Sequence, residues 1–153
     1  MREEILSNLE LQLDKDAYDV IKGRNIHLGV FSEPCLRYML EGKKTIESRI
    51  SKKKIAPYQK ITKDDIVVVK KSGGGVVAYF TIKEIKFINL NEISINEIKN
   101  KYNKELCVSE EFWEQKKDSS YATLIFIDRL VKLEPFKVNK RGMQTWIVLD
   151  NKE

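Results

Sequence analysis

The sequence predicts an α+β protein, a small mixed β-barrel with flanking helices. Three observations predict it. Short stretches of β-branched residues with period-two or all-apolar character recur along the chain, enough for five or more strands. Helical spacings interrupt them at three or four places. A Ser72-Gly73-Gly74-Gly75 run joins the two most apolar stretches as a hairpin. The pattern has no repeat, low-complexity tract or linker, so one domain is expected over residues 25–149. Ile46, Val67, Val69, Val77, Leu124, Ile125 and Trp146 are its predicted core.

The elements follow in order. Ile5, Leu6, Leu9 and Leu13 recur at helical spacing, so residues 3–13 read as an amphipathic helix that Tyr18, Val20 and Ile21 extend or dock. Residues 1–24 are thus expected to form a helical appendage packed on the domain. Residues 26–31 read as a strand. A helix then begins near Glu33-Pro34, with Ser32 as N-cap, Leu36, Met39 and Leu40 on its apolar side and Gly42 at its end. A strand over 45–50 leads into a basic loop, 51–63, that contains Pro57. Residues 66–71 form a continuous β-branched run, expected of a strand covered on both faces. The return strand covers 76–88, and helices follow over 94–104 and 109–116, the second capped by Ser109 with Glu110 and Glu111 in its first turn. Residues 120–134 and 144–149 return to strand.

Composition sets limits on function. The 153 residues are 42% hydrophobic and 33% charged, and no apolar run approaches the ~20 residues that span a bilayer, so no membrane partner is expected. The first residues, Met1-Arg2-Glu3-Glu4, lack the order of a secretory signal. Cys35 and Cys107 lie far apart with no metal-ligand spacing, so neither a metal nor a cofactor is expected, and a reducing, cytoplasmic compartment is. Charge is uneven. Residues 43–71 carry ten Lys/Arg against three acids, a local +7 in a chain of net +5, whereas residues 1–24 are net −2. A local basic excess is either the footprint of a phosphate-rich partner or a solvated lysine face.

The ionic side chains concentrate at Gly42-Lys43-Lys44-Thr45-Ile46-Glu47-Ser48-Arg49. Strand periodicity puts Thr45, Glu47 and Arg49 on one face and Ile46, Ser48 and Ile50 on the other. A carboxylate two residues from a guanidinium, with Lys44 just before it, is a compact polar site for an anionic or heteroaromatic group. The bland reading is an in-strand Glu47–Arg49 pair. Lys53, in the Lys52-Lys53-Lys54 cluster, suits non-specific phosphate contact. Lys70 and Lys71 sit at a hairpin tip where the amides of Ser72 to Gly74 form either an anion nest or a simple turn. Tyr121 and Trp146 either stack on a base or pack in the core. Trp113 reads as a helix-to-barrel anchor and His27, the single histidine, as structural.

Gly-x-Lys-x-x-Glu-x-Arg, here Gly42, Lys44, Glu47 and Arg49, resembles the signature of the ASCH domain, a relative of the PUA domains. The likeness extends through His27-Leu28-Gly29-Val30, Glu33-Pro34, residues 66–74, Tyr121–Ile125 and Trp146–Leu149, roughly residues 25–149. The resemblance implies a β-barrel with helices closing its ends and a cleft beside the signature strand. It also implies recognition of RNA or of a modified nucleobase or nucleoside in a basic cleft made by Lys44, Glu47 and Arg49, with Lys53, Lys70, Lys71 and Ser72 at the rim. A second reading is a small metal-independent hydrolase in which Lys44 and Glu47 are catalytic. Some ASCH-like proteins are amidohydrolases on acylated pyrimidine nucleosides, and others are reported to cleave RNA. Lys44 matches the lysine of the amidohydrolase branch, but that branch has Thr where this chain has Glu47. A third is an adaptor that associates through its N-terminal helix; no sequence feature sets an oligomeric state.

Overall fold

A computed structural model describes residues 1–150. Six strands form one sheet in the order β2-β5-β4-β3-β1-β6, where β1 is Ile26–Phe31, β2 Ile46–Ser51, β3 Ile66–Lys71, β4 Val76–Asn89, β5 Tyr121–Phe136 and β6 Trp146–Leu149. β1 and β3 are parallel and every other pair is antiparallel. The β4–β5 pairing carries three register shifts, at Val76/Ala78, Thr81/Ile82 and Ile82/Glu84. An extra residue on one strand bends and twists the pair, and here the sheet curls into a half-barrel whose outer strands are β2 and β6.

Five helices flank it among the described residues: α1 Arg2–Gln12, α2 Lys15–Lys22, α3 Cys35–Leu40, α4 Ile95–Leu106 and α5 Glu110–Lys116. α2, read from the sequence only as an extension, is a separate helix because the Asp14 carboxylate caps it, accepting from the Ala17 N–H. Ser94 and Ser109 cap α4 and α5 in the same way. The N-cap of α3 differs from expectation: it is Pro34, not Ser32. The Glu33 carboxylate accepts from the Arg37 N–H at 2.8 Å and so serves an orphan donor of the first turn.

Alternate residues of the strands enter separate clusters. Ile26, Leu28, Ile66 and Val68 face α1 and α2, meeting Ile5, Leu9 and Ile21. Phe31, Val67, Val69, Ile125 and Trp146 face the half-barrel interior, where Leu36 and Met39 of α3 fill one opening. Ile46, Ile50, Ala122 and Leu124 face α4 and α5, meeting Leu106 and Trp113. The all-apolar run in β3 therefore has the expected cause, cover on both faces. Six of the seven predicted core residues are buried; Val77 is half-buried against the interior cluster. Ile5 and Leu9 are fully buried, each worth roughly 1.5–3 kcal/mol, so the N-terminal helices are bound to the sheet by a shared core.

Candidate functional site

The turn after α3 aims Lys44 inward. Gly42 takes φ +80°, a conformation open to glycine. The amides of Lys43 and Lys44 then both donate to the Tyr38 carbonyl at 2.9 and 3.0 Å. Lys44 ends only 2% exposed. Its Nζ donates to the Leu106 carbonyl at 2.5 Å, at the C-terminus of α4. The last carbonyls of a helix lack intrahelical partners and carry its negative dipole end, so a cation belongs there. Cys107, in the left-handed conformation, turns the chain away at that point.

Glu47 is 6% exposed. Its carboxylate is shared between two cations: Oε1 lies 3.4 Å from Lys44 Nζ and Oε2 accepts from Arg49 Nε at 2.8 Å. Arg49 then reaches across the opening of the half-barrel. It donates from Nη2 to the Val30 carbonyl at 2.9 Å and from Nη1 to the Thr145 carbonyl at 3.2 Å. Its guanidinium sits between the rings of Phe31 and Trp146, 4.8 and 4.9 Å from their centroids. One side chain of β2 thus joins the sheet to β1 and to the residue before β6. Gly29 makes room for this sandwich, since a Cβ there would lie 2.8 Å from both rings.

Behind Trp146 lies a buried polar chain. The indole N–H donates to His27 Nδ1 at 2.9 Å. Indole is a donor only, so Nδ1 is the acceptor and Nε2 carries the proton that it donates to Asp65 Oδ2 at 2.8 Å. The Thr62 amide and hydroxyl complete Asp65. Burial pulls the His27 imidazole below its ordinary range, with the Asp65 carboxylate opposing it.

Lys44, Glu47 and Arg49 together line a cavity of about 420 Å³. Phe31, Ile55, Pro57 and Phe112 give it apolar walls, and Ser32, Ser51 and Lys116 add polar atoms. Lys116 Nζ also donates to the Ile50 carbonyl at 3.1 Å. Cys35 lines the cavity too, its thiol pushed up by burial. No pattern in the chain pointed to Phe31, Phe112 or Lys116: Phe31 reaches the cavity from β1, and Phe112 and Lys116 reach it from α5, which packs beside β2. The other predicted residues lie elsewhere. Lys53 is exposed on the 51–63 loop and does not line the cavity. Lys70 and Lys71 end β3 and Ser72 begins the turn to β4, all outside the lining, although the Ser72 amide donates to the Phe31 carbonyl at 2.9 Å. Trp146 is committed to Arg49 and His27, and Trp113 is buried against α4, its indole N–H donating to Asn103.

No protein-family model matches the sequence, and no curated protein sequence matches it. Solved structures do match in fold. A variant of the ASCH protein from Zymomonas mobilis superposes with a TM-score of 0.66 at 14% identity, over 83% of this chain and 89% of that one. The ASCH protein itself gives 0.64 at 15% identity, over 81% and 87%. A second variant gives 0.61 at 15% identity, over 81% and 89%. The curled six-stranded sheet, with α3 in its opening and Arg49 across the gap, is an ASCH/PUA-like fold.

Proposed function

We propose that this protein binds single-stranded RNA and takes one unstacked base into the cleft above Lys44, Glu47 and Arg49. The observation that carries the reading is the buried Lys44–Glu47 pair in an apolar-walled cavity bounded by a lysine-rich loop. A base edge presents donors and acceptors side by side, and its faces are apolar. A carboxylate has about four lone-pair sites and an ammonium three donors, so the pair keeps capacity for a base edge beyond its internal bonds. The cavity volume lies in the range of small-ligand sites. Arg49 supports the reading as the group that holds Glu47 in place, rather than as a phosphate fork. Lys53 and Lys116 would take phosphates along the rim, and Lys70 and Lys71 would take a phosphate beside the neighbouring turn. Such contacts carry affinity while the cleft selects the base. The ASCH/PUA-like fold agrees with a nucleic-acid ligand.

Anisotropy titrations with short homopolymeric RNAs test it. Affinity should fall with salt at a log–log slope of about −0.7 per phosphate contacted, and Glu47→Gln should change the ranking among bases. Absence of binding at low salt would end this reading. The closeness of Lys44 and Glu47 inside the cleft also favours a second one, a metal-independent hydrolase of acylated nucleosides or RNA. Turnover that persists in EDTA and is lost in Lys44→Ala would establish it.

A further inference from the structure

We propose that the aromatic cluster Tyr58, Phe87 and Tyr121, with Lys54 beside it, is a stacking platform for the nucleotide next to the one in the cleft. This rests on the RNA-binding reading above. The cluster is contiguous with the cleft by register. Arg49 pairs with Thr123, and Thr123 pairs with Phe87; one row on, Ser51 pairs with Tyr121. Residues paired across strands project from the same face of a sheet, so Phe87 and Tyr121 share the face of Arg49. Strand spacing places Phe87 roughly 10 Å from Arg49. The loop segment Ile55–Pro57 lines the cleft and leads directly to Tyr58.

The cluster is built rather than accidental. Tyr58 is nearly buried and sits between the other two rings, 5.6 Å from Phe87 in an edge contact and 5.0 Å from Tyr121. Phe87, by contrast, is 39% exposed. It lies in the part of β4 beyond the reach of β3, whose pairing ends at Thr81. Ile55, on the cleft wall, is 57% exposed. Exposed apolar side chains therefore stand both at the cleft and at the cluster. Its charge suits one partner: residues 48–63 hold Arg49, Lys52, Lys53, Lys54, Lys60 and Lys63 and no acid. Lys54 Nζ leans over Tyr121 at 5.5 Å from the ring centroid. Rings for base faces with cations beside them for phosphates are the two parts of a single-strand binding surface. An acidic peptide would use the lysines but leave the rings without a role.

The test compares a nucleoside monophosphate with a short oligonucleotide on the full chain. The wild type should bind the oligonucleotide more tightly. Phe87→Leu, which keeps apolar bulk and removes the π face, should lose on the order of tenfold toward the oligonucleotide and nothing toward the mononucleotide. Phe87→Trp should retain binding, and its fluorescence should be quenched by the oligonucleotide alone. The platform is refuted if folded Phe87→Leu binds the oligonucleotide like wild type, if the oligonucleotide binds no tighter than the mononucleotide, or if the same change weakens polyglutamate equally. Glu47→Gln separates the two readings. If it alters no affinity while Phe87→Leu still weakens the oligonucleotide, the cleft reading fails and the platform stands. If no nucleic acid binds, both fall.

Discussion

The indole N–H of Trp146 donates to His27 Nδ1, and the same indole ring carries the guanidinium of Arg49 on its face. The plane on which Arg49 rests is therefore fixed from behind by a histidine that is itself fixed by Asp65. The two residues are 119 positions apart in the chain. They meet because β6 returns beside β1, with Gly29 directly opposite Trp146.

This arrangement makes stability depend on pH. In the folded protein burial pulls His27 below the ordinary value of 6.5, and Nδ1 is occupied as an acceptor. The unfolded chain therefore binds the extra proton first. Stability contributed by neutral His27 is complete above about pH 6.5 and is lost as pH falls from there toward the depressed folded value. Urea midpoints should decline over that range in the wild type and decline less in His27→Gln. As the chain has one histidine, its imidazole proton signals can be followed directly. A titration at or above the ordinary value would contradict this account.

Arg49 should be worth more to the fold than its partial exposure suggests. Arg49→Ala removes the bridge to Val30 and Thr145 and leaves Glu47 with Lys44 alone. Glu47 keeps Lys44, so the loss is that of hydrogen bonds to a charged group, about 1.5–3 kcal/mol, and a loss of this order is expected in urea unfolding. Arg49→Lys should recover only a small part, since an ammonium cannot serve three acceptors in one plane. A change of less than about 1 kcal/mol in Arg49→Ala would mean that the pair behaves as a surface bridge.

Much of this was legible in the sequence, for local reasons. The β-branched run at 66–71, the glycine turn after it and the serine caps at 94 and 109 are fixed by near neighbours. The alternation that puts Glu47 and Arg49 on one face is equally local. The in-strand pair of these two residues was legible as well; what else they meet was not. Their polar character suggested a surface site, but Arg49 faces two carbonyls and two rings from distant segments, and Lys44 faces the end of a helix that begins 51 positions later. The lysines at 70 and 71 have the opposite history. Their charge put them in one group with Lys44, and the β1–β3 pairing carries them to the end of β3, outside the cleft lining. His27 and Asp65 gave no pairwise signal at all, because their contact depends on a parallel strand pair.

Gly29 is the least conspicuous part of the site and should be among the least replaceable. A methyl group at this position would meet Phe31 Cε1 and Trp146 Cζ3 at 2.8 Å. Both rings are held, one by the interior cluster and one by His27, so neither can move without loss. Overpacking of this kind costs about 1–3 kcal/mol. Gly29→Ala should therefore lower the unfolding free energy by that amount and shift the indole resonance of Trp146. Wild-type stability with an unmoved indole signal would show that the sandwich has slack.

Lys44 separates stability from recognition. It is buried, and its ammonium answers both the Leu106 carbonyl and Glu47. Lys44→Met keeps the length and apolar stem but leaves the Leu106 carbonyl without its ammonium and Glu47 with Arg49 alone. The cost should be about 3–5 kcal/mol. Adding Glu47→Gln removes the buried carboxylate that has lost one of its two cations, so the double variant should be less destabilised than the sum of the single changes. The difference should reach at least about 0.5 kcal/mol, the lower end for groups in direct contact. Additivity within error would mean that Lys44 is anchored by Leu106 alone. The same double variant, if folded, offers the cleft a neutral amide in place of the Lys44–Glu47 pair. Its affinity for RNA of mixed sequence should then fall little, because the exposed lysines of the loop remain. Its preference among bases should change, because an amide presents its donors and acceptor to the base edge differently from the ammonium and carboxylate it replaces. Retained base preference in that variant would place recognition outside this cleft.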